Sequence, residues 1–314
     1  MKYYVDKQIL ILGGFGYVGP SLVKRLVNLG AQVTVVARNA EHGSDKHAKY
    51  PELYKIANVV SFDPLVDFEP LQEHLNKTDI ILNLIHAEKN DLTYQQNIVT
   101  LNFKLLQYCQ ENDLNTILVH FGSRLEYSKN CKLPIKEDAM LELTSVYGFA
   151  KLMSEKYYQF FNQRFGLKTI CLRISNVYGC IECVPLKKNT VDALIYSALH
   201  DTIKIDHDPD RYKDFVYIDD FIDVLLLTIK NESCYGKTFN IGGDEKISLK
   251  NLAEKIKKLF NPQKEIVVLE TVNKDDLSFL LDISAIKEAN KWEPKINIDE
   301  GLQRIKKQLD AKGL

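Results

Sequence analysis

The chain has 314 residues, 45% of them hydrophobic, enough for one large domain or a core domain with a smaller attached lobe. Lysine and arginine number 41 against 42 aspartates and glutamates, a net charge of −1, which excludes the global basic field that draws proteins to nucleic acid or an anionic membrane. No run reaches the roughly 18 apolar residues of a membrane span, and Met1-Lys-Tyr-Tyr-Val-Asp-Lys7 lacks the apolar core of a signal peptide, so a cytosolic protein is expected.

The first predicted element is a buried strand, Ile9–Leu12, which runs directly into Gly13-Gly14-Phe15-Gly16-Tyr17-Val18-Gly19. Gly14, Gly16 and Gly19 fit G-x-G-x-x-G, and from Gly13 the same loop reads G-x-x-G-x-x-G. Glycines permit a tight turn and let backbone N–H groups approach phosphate oxygens at a helix N-terminus, so the loop points to a dinucleotide pyrophosphate. A plain strand-to-helix turn is the other explanation. Its context favours the cofactor, because an amphipathic helix follows over Pro20–Gly30, with Leu22, Val23, Leu26, Val27 and Leu29 near one face and Gly30 as the stop.

Further β-branched runs recur at Val33–Val36, Val59–Phe62, Ile80–Leu84, Thr116–Phe121 and Thr169–Arg173, with helix-like segments between most of them. That alternation predicts an α/β fold with a doubly wound, Rossmann-type parallel sheet, whose ligands sit beyond the carboxyl ends of the strands. The helices around Asp91–Asn112 and Ser145–Phe165 carry apolar positions on more than one face, which would suit pairing across a two-fold axis in a homodimer. After about residue 175 the pattern loses regularity. A turn near Tyr178-Gly179, a helix over Val191–Leu199 and a polar loop over Asp206–Lys213 suggest a smaller C-terminal lobe. The cysteines at 109, 131, 171, 180, 183 and 234 are scattered and read as reduced thiols; Cys180-Ile-Glu-Cys183 has no second Cys/His pair, so no metal is assigned.

Tyr147-Gly-Phe-Ala-Lys151 places a phenol and an ammonium on one helical face, where the charge is expected to lower the phenol's pKa toward use as an acid/base. Tyr3-Tyr-Val-Asp-Lys7 has the same spacing but precedes the first strand, away from any pocket. Ser123 closes the strand beginning at Thr116, positioned to hydrogen-bond the same substrate oxygen as Tyr147.

With these residues the chain resembles the extended short-chain dehydrogenase/reductase family, in its nucleotide-sugar epimerase/dehydratase/reductase branch. The resemblance is carried, in order, by Gly13 to Gly19, Asn83-Leu-Ile-His-Ala87, Phe121-Gly-Ser-Arg-Leu-Glu-Tyr127, Tyr147 to Lys151, Leu172-Arg-Ile-Ser-Asn-Val-Tyr-Gly179, Lys213-Asp-Phe-Val-Tyr-Ile-Asp-Asp220 and Phe239-Asn-Ile-Gly-Gly243. It implies a dinucleotide-binding domain over 1–175 with a returning segment near 213–242, and a nucleotide-sugar lobe over 176–212 and 243–314. It implies that Tyr147 exchanges a proton with a sugar hydroxyl or carbonyl while a nicotinamide exchanges hydride. Lys151 would also hold the nicotinamide ribose, Ser123 would orient the reacting oxygen, and Asp63 would stand near adenine. Asn176 would face the nucleotide sugar, with a turn-capping role as the alternative, and Arg124 and Arg211 are further substrate candidates. Asp219 and Asp220 open an apolar helix and are assigned to structure.

The chain departs from the family pattern in three places. Where members that use NAD carry an acid after the second strand, Ala37 is followed by Arg38, which favours NADP through its 2′-phosphate; an arginine stacked on adenine would keep NAD in use. Dehydratases of the branch carry a carboxylate just after the residue matching Ser123, whereas Arg124 and Leu125 stand here and Glu126 comes one position too late. Lys213 replaces the arginine usual before Asp-Phe, and the stretch 274–281 supplies none, leaving Arg211 or Lys274 to contact the pyrophosphate. The expected activity is oxidation or reduction of a nucleotide sugar at C4, in either direction. A 4-epimerase using the same residues and a catalytically idle NAD(P)-binding regulatory protein are the alternatives.

Overall fold

The computed structural model describes residues 2–86, 91–143, 145–180, 189–273 and 278–313. Its strands are β1 (Gln8–Leu12), β2 (Gln32–Ala37), β3 (Asn58–Ser61), β4 (Ile80–Asn83), β5 (Ile117–Ser123), β6 (Lys168–Ile174), β7 (Asn176–Tyr178), β8 (Ile203–His207), β9 (Tyr212–Lys213), β10 (Phe215–Tyr217), β11 (Thr238–Ile241), β12 (Ile247–Ser248) and β13 (Ile266–Asn273). The α-helices are α1 (Gly19–Asn28), α2 (Asp45–Lys49), α3 (Pro51–Ile56), α4 (Glu69–Leu75), α5 (Leu92–Glu111), α6 (Val146–Phe165), α7 (Thr190–His200), α8 (Ile218–Ile229), α9 (Leu249–Phe260), α10 (Ser284–Asn290) and α11 (Ile298–Ala311).

Seven strands form a parallel sheet in the order β11-β6-β5-β4-β1-β2-β3. The order reverses direction between β1 and β4, the switch point at which doubly wound sheets bind ligands. All of β4 and β5 is buried, as expected for strands covered by helices on both faces. Alternation within each strand sorts the two layers. Leu10, Leu12, Ile81 and Leu118 pack in one cluster with Leu101 and Leu105 of α5 and Tyr158 and Phe161 of α6. Ile11 and Val35 instead point to the side on which Gly14 lies. Asp91 caps α5 and Ser145 caps α6, each accepting a backbone N–H three residues on, and Gly166 at φ +74° ends α6.

The chain divides into two compact units, Met1–Ser128, Met140–Arg173 and Leu225–Phe239 in the first and Lys129–Ala139, Ile174–Val224 and Asn240–Leu314 in the second. The return into the first unit thus starts later than residue 213, because β9 pairs with β12 and β10 with β7 inside the second. The segment 129–139 also lies in the second unit, where Ile135 bridges Leu281 and its carbonyl accepts the Asn240 side chain. The supposed polar loop 206–213 is bounded by strand at both ends, since β8 reaches His207 and β9 begins at Tyr212. Asp220 accepts the backbone N–H groups of Lys295 and Ile296, a structural tie. The first Tyr-x-x-x-Lys is structural as well: the Tyr4 hydroxyl donates to the Leu226 carbonyl at 2.6 Å and Lys7 pairs with Asp79 at 2.9 Å. Among the described residues no helix is long and apolar enough to cross a membrane.

Candidate active site

The glycine loop leaves β1 as a cradle that side chains would fill. Gly13 sits at φ +77°, where L side chains are strained, and its N–H reaches the Val36 carbonyl at 2.9 Å. A Cβ on Gly19 would fall 2.0 Å from the Gly14 carbonyl oxygen, so only glycine lets α1 start this close to the loop. Val18 precedes that helix without a side-chain cap, so the N–H groups of the first turn face the loop as an anion site of the kind a pyrophosphate fills. The Phe15 ring is committed elsewhere, to Tyr50 and Tyr54 at 5.7 and 5.6 Å between centroids, which leaves its backbone for the cradle.

At the end of β2, Ala37 is buried and Arg38 is exposed, its guanidinium 5.3 Å from the centre of the Tyr94 ring. A second cation joins it. Lys46 of α2 donates to the Arg38 carbonyl, and burial together with the Arg38 charge lowers its pKa. Asp63 accepts the Leu65 N–H at 3.0 Å and, with Glu41, acts on Lys46 in the opposite sense. Lys46 escapes a reading of the strand end alone because it comes eight residues after Arg38 and only the fold brings it back.

Ser123, Tyr147 and Lys151 come together in the first unit. Ser123 ends β5 and caps a short 3-10 turn, Arg124–Glu126, its Oγ accepting the Leu125 N–H at 3.2 Å. α6 is seated against this turn so tightly that a Cβ on Gly148 would lie 2.2 Å from the Leu125 carbonyl oxygen. The close approach sets Tyr147 beside the Ser123 side chain, which pulls its pKa downward, and the His86 ring stands edge-on to Tyr147 at 5.2 Å. Lys151 is buried, donates to the Phe121 carbonyl at 2.7 Å and lies 5.6 Å from the centre of the Tyr147 ring.

The electrostatics correct one expectation. Burial, then the nearby Glu126, pushes the Tyr147 phenol up to about 12, against weaker downward pulls from the Ser123 hydrogen bond and the Arg124 charge. Burial lowers Lys151 to about 8. Desolvation outweighs charge proximity at both groups, so Tyr147 is a protonated acid at neutral pH rather than a phenol tuned downward by its neighbour.

Glu126 and its partners were missed, although Ser123-x-x-Glu126 has the spacing of a capping box, which is a legible signal. The Glu126 side chain turns inward, with no exposure, and its Oε1 accepts the Ser123 N–H at 2.5 Å. Beneath it Arg173 donates to both Glu155 oxygens, at 2.9 and 2.6 Å, and to the Tyr127 hydroxyl at 2.9 Å. Behind α6, Asn102 of α5 receives the Asn83 amide at 3.1 Å and donates to Ser154 at 3.2 Å, tying the end of β4 to the helix that carries Lys151.

Of the other expected residues, Arg124 is half-buried in the first unit. Asn176 and Arg211 belong to the second. Asn176 pairs with Phe215 in a strand, not a turn, and its amide donates to the Asp214 carbonyl at 2.8 Å. Arg211 is buried, its carbonyl accepting the Leu249 N–H, and the Lys213 ammonium donates to Thr190 at 3.1 Å. Ala87, Cys183 and Lys274 lie outside the described residues. Among the described residues no cluster of His, Cys, Asp and Glu is suited to a metal.

The sequence model of the NAD dependent epimerase/dehydratase family matches residues 9–242. A dTDP-4-dehydro-6-deoxyglucose reductase of Escherichia coli is 27% identical, the match covering 97% of this chain and 98% of that one. A putative UDP-glucose 4-epimerase of Methanocaldococcus jannaschii is 24% identical, over 95% and 96%. Among solved structures, a UDP-glucose 4-epimerase with UDP-glucose from Thermotoga maritima superposes with a TM-score of 0.86 at 24% identity, covering 98% of this chain and 100% of that one. A UDP-glucuronic acid 4-epimerase from Bacillus cereus, in complex with UDP-glucuronic acid and NAD, gives 0.82 at 21%, over 96% and 99%.

Proposed function

Since the chain belongs to the NAD dependent epimerase/dehydratase family, we propose that it is an NAD(P)-dependent reductase of a nucleotide-activated 4-keto sugar. The observation that carries this reading is the placement of Tyr147 beside Ser123 at the end of β5, a hydroxyl pair suited to receive a carbonyl oxygen and give it a proton, and the upward shift of the buried phenol supports it. Oxidation of a 4-hydroxyl would need the phenolate, which burial disfavours. The E. coli relative bears the name of such a reductase.

The glycine cradle and α1 would hold the cofactor's pyrophosphate, and Lys151 its ribose. A reduced nicotinamide held there would supply the hydride that the sugar carbon gains. Ser123 orients the carbonyl oxygen, Tyr147 transfers its phenolic proton there, and the Lys151 ammonium stabilises the resulting phenolate until solvent returns the proton. A positioned acid of this kind contributes roughly 10²–10⁴ in rate. Elimination of water would require a carboxylate at the sugar. Leu125 offers none, and the Glu126 carboxyl is turned into the core.

Arg38 and Lys46 support NADP as the preferred cofactor, because two cations at the β2 end suit a 2′-phosphate. The wild type should bind NADP more tightly than NAD in fluorescence titrations, and Ala37→Asp with Arg38→Asn should reverse the order; equal or stronger NAD binding by the wild type overturns this. We also propose a cytosolic homodimer joined through α5 and α6, where Leu92, Phe103, Phe149, Phe160 and Phe165 are exposed. Asn176 and Arg211 are the proposed substrate contacts of the second unit.

The deciding experiment incubates the purified protein with NADPH and a nucleoside-diphosphate 4-keto-6-deoxyhexose, following nicotinamide absorbance and product mass. One cofactor oxidised per sugar that gains two hydrogens is the expected outcome. Interconversion of C4 stereoisomers at unchanged mass with catalytic cofactor would make it an epimerase, the activity in the name of the M. jannaschii relative. Tight cofactor binding with no turnover of any nucleotide sugar would favour a regulatory role.

A further inference from the structure

The structure assigns Glu126 a positioning role as a neutral carboxylic acid: its Oε1 accepts the Ser123 N–H while the proton on its other oxygen is donated to the Glu155 carboxylate. Three observations carry this. Glu126 has no exposed surface, and its Oε2 is buried without a donor in hydrogen-bond range. The obvious donor, Arg173, is already spent, gripping Glu155 through Nε and Nη2 and Tyr127 through Nη1, with its Nε 3.7 Å from the Glu126 Oε2. The Glu126 and Glu155 carboxyl groups are in hydrogen-bond contact, which two carboxylates cannot be without a proton between them.

The groups facing Glu126 agree with that charge state. From α6 come Glu155, Tyr147 and Lys151, and from β6 Cys171 and Arg173, the last of which also carries Tyr127. One guanidinium faces two carboxyl groups here, Glu155 at 2.6 Å and Glu126 only at 3.7 Å, so it would have to offset two buried negative charges if both were ionised. Burial and the Glu155 charge both push the Glu126 pKa well above the ordinary range. Gly122 leaves the space, since a Cβ there would sit 2.6 Å from the Glu126 Oε1. A neutral acid holds Ser123 in place without placing a negative charge beside the Tyr147 phenol, which burial then raises alone.

The test compares wild type with Glu126→Gln and Glu126→Ala. Glutamine keeps the acceptor for Ser123 and the donor toward Glu155, so it mimics the neutral acid and not the carboxylate. At about pH 8 the infrared spectrum of the wild type should contain a protonated-carboxyl C=O stretch that Glu126→Gln lacks. In thermal unfolding Glu126→Gln should stay within about 2 °C of wild type while Glu126→Ala falls by about 5 °C or more. No such infrared difference, or a glutamine variant as unstable as the alanine one, would overturn the assignment. A turnover assay rests on the reductase reading: kcat should drop about tenfold in Glu126→Ala with cofactor Kd unmoved, and the glutamine variant should restore it. A wild type that reduces no 4-keto sugar would sink the reductase reading alone, leaving the infrared and unfolding results to decide the role of Glu126.

Discussion

Tyr147 and Lys151 are separated by one helical turn, and burial moves both toward their neutral forms. The phenol rises to about 12 and the ammonium falls to about 8. If Tyr147 supplies the proton, Tyr147→Phe should keep cofactor affinity but lose at least about a hundredfold in turnover, measured as NADPH oxidation. Near-normal turnover would remove Tyr147 from the chemistry. The Lys151 shift carries its own prediction. Below about pH 8 the ammonium exists in both folded and unfolded chains, and its desolvation fully opposes folding; above the ordinary 10.5 it exists in neither. The stability of the wild type relative to Lys151→Met should therefore improve by about 3 kcal/mol as pH rises from about 7 to about 11, read by denaturant unfolding at each pH. A difference that stays flat with pH would mean that Lys151 is not desolvated. A sequence names both residues by their spacing, but the signs of their shifts belong to the packing around them.

The 3-10 turn after β5 and the helix α6 form the next level, and their contact is decided by Gly148. Alanine in a helix interior ordinarily stabilises by about 1 kcal/mol over glycine. Here the added Cβ would meet the Leu125 carbonyl at 2.2 Å, so the helix must retreat. A retreat of about 1 Å separates Tyr147 from Ser123 and should cost up to a hundredfold in turnover, with loss of stability rather than gain. Unchanged kcat together with a raised melting temperature would contradict the contact. Much of this element level is legible in the chain: the β-branched runs mark β1 to β6, Asp91 and Ser145 stand where α5 and α6 are capped, and Gly30 and Gly166 mark helix stops. Glu126 was legible as well, through the Ser123-x-x-Glu126 spacing. Its partner Arg173 was not, since 47 positions separate the two and only pairing in the sheet brings them to 3.7 Å.

At the level of the molecule, α5 and α6 cover one face of the sheet and still expose large apolar side chains. Phe160 is 52% exposed and Phe165 46%, while Phe103, 5.2 Å from the Tyr157 ring, continues the aromatic surface onto α5. An apolar surface of this kind on paired helices suits a two-fold partner. Phe160→Glu should convert a dimer to monomers in sedimentation velocity, with the fold retained by circular dichroism. A wild type that sediments as a monomer at micromolar concentration would refute the dimer. The division into two units also belongs to this level. Residues 129–139 lie in the second unit through the bonds of Ile135 and Asn240, a long-range pairing with no local signature.

By itself the sequence determined the strands β1 to β6 and the doubly wound sheet, and it named the glycine loop and Ser123, Tyr147 and Lys151 as the candidate site. These follow from local periodicity, from glycine's lack of a Cβ and from spacings within a single turn or strand end. The tertiary structure decided the rest. It set the direction in which burial shifts Tyr147, brought Lys46 beside Arg38, turned Glu126 inward onto Glu155 and Arg173, and drew the boundary between the units. The physical reason is the same in each case: desolvation and charge depend on which distant segments close around a group, and a linear sequence carries neither distances nor dielectric.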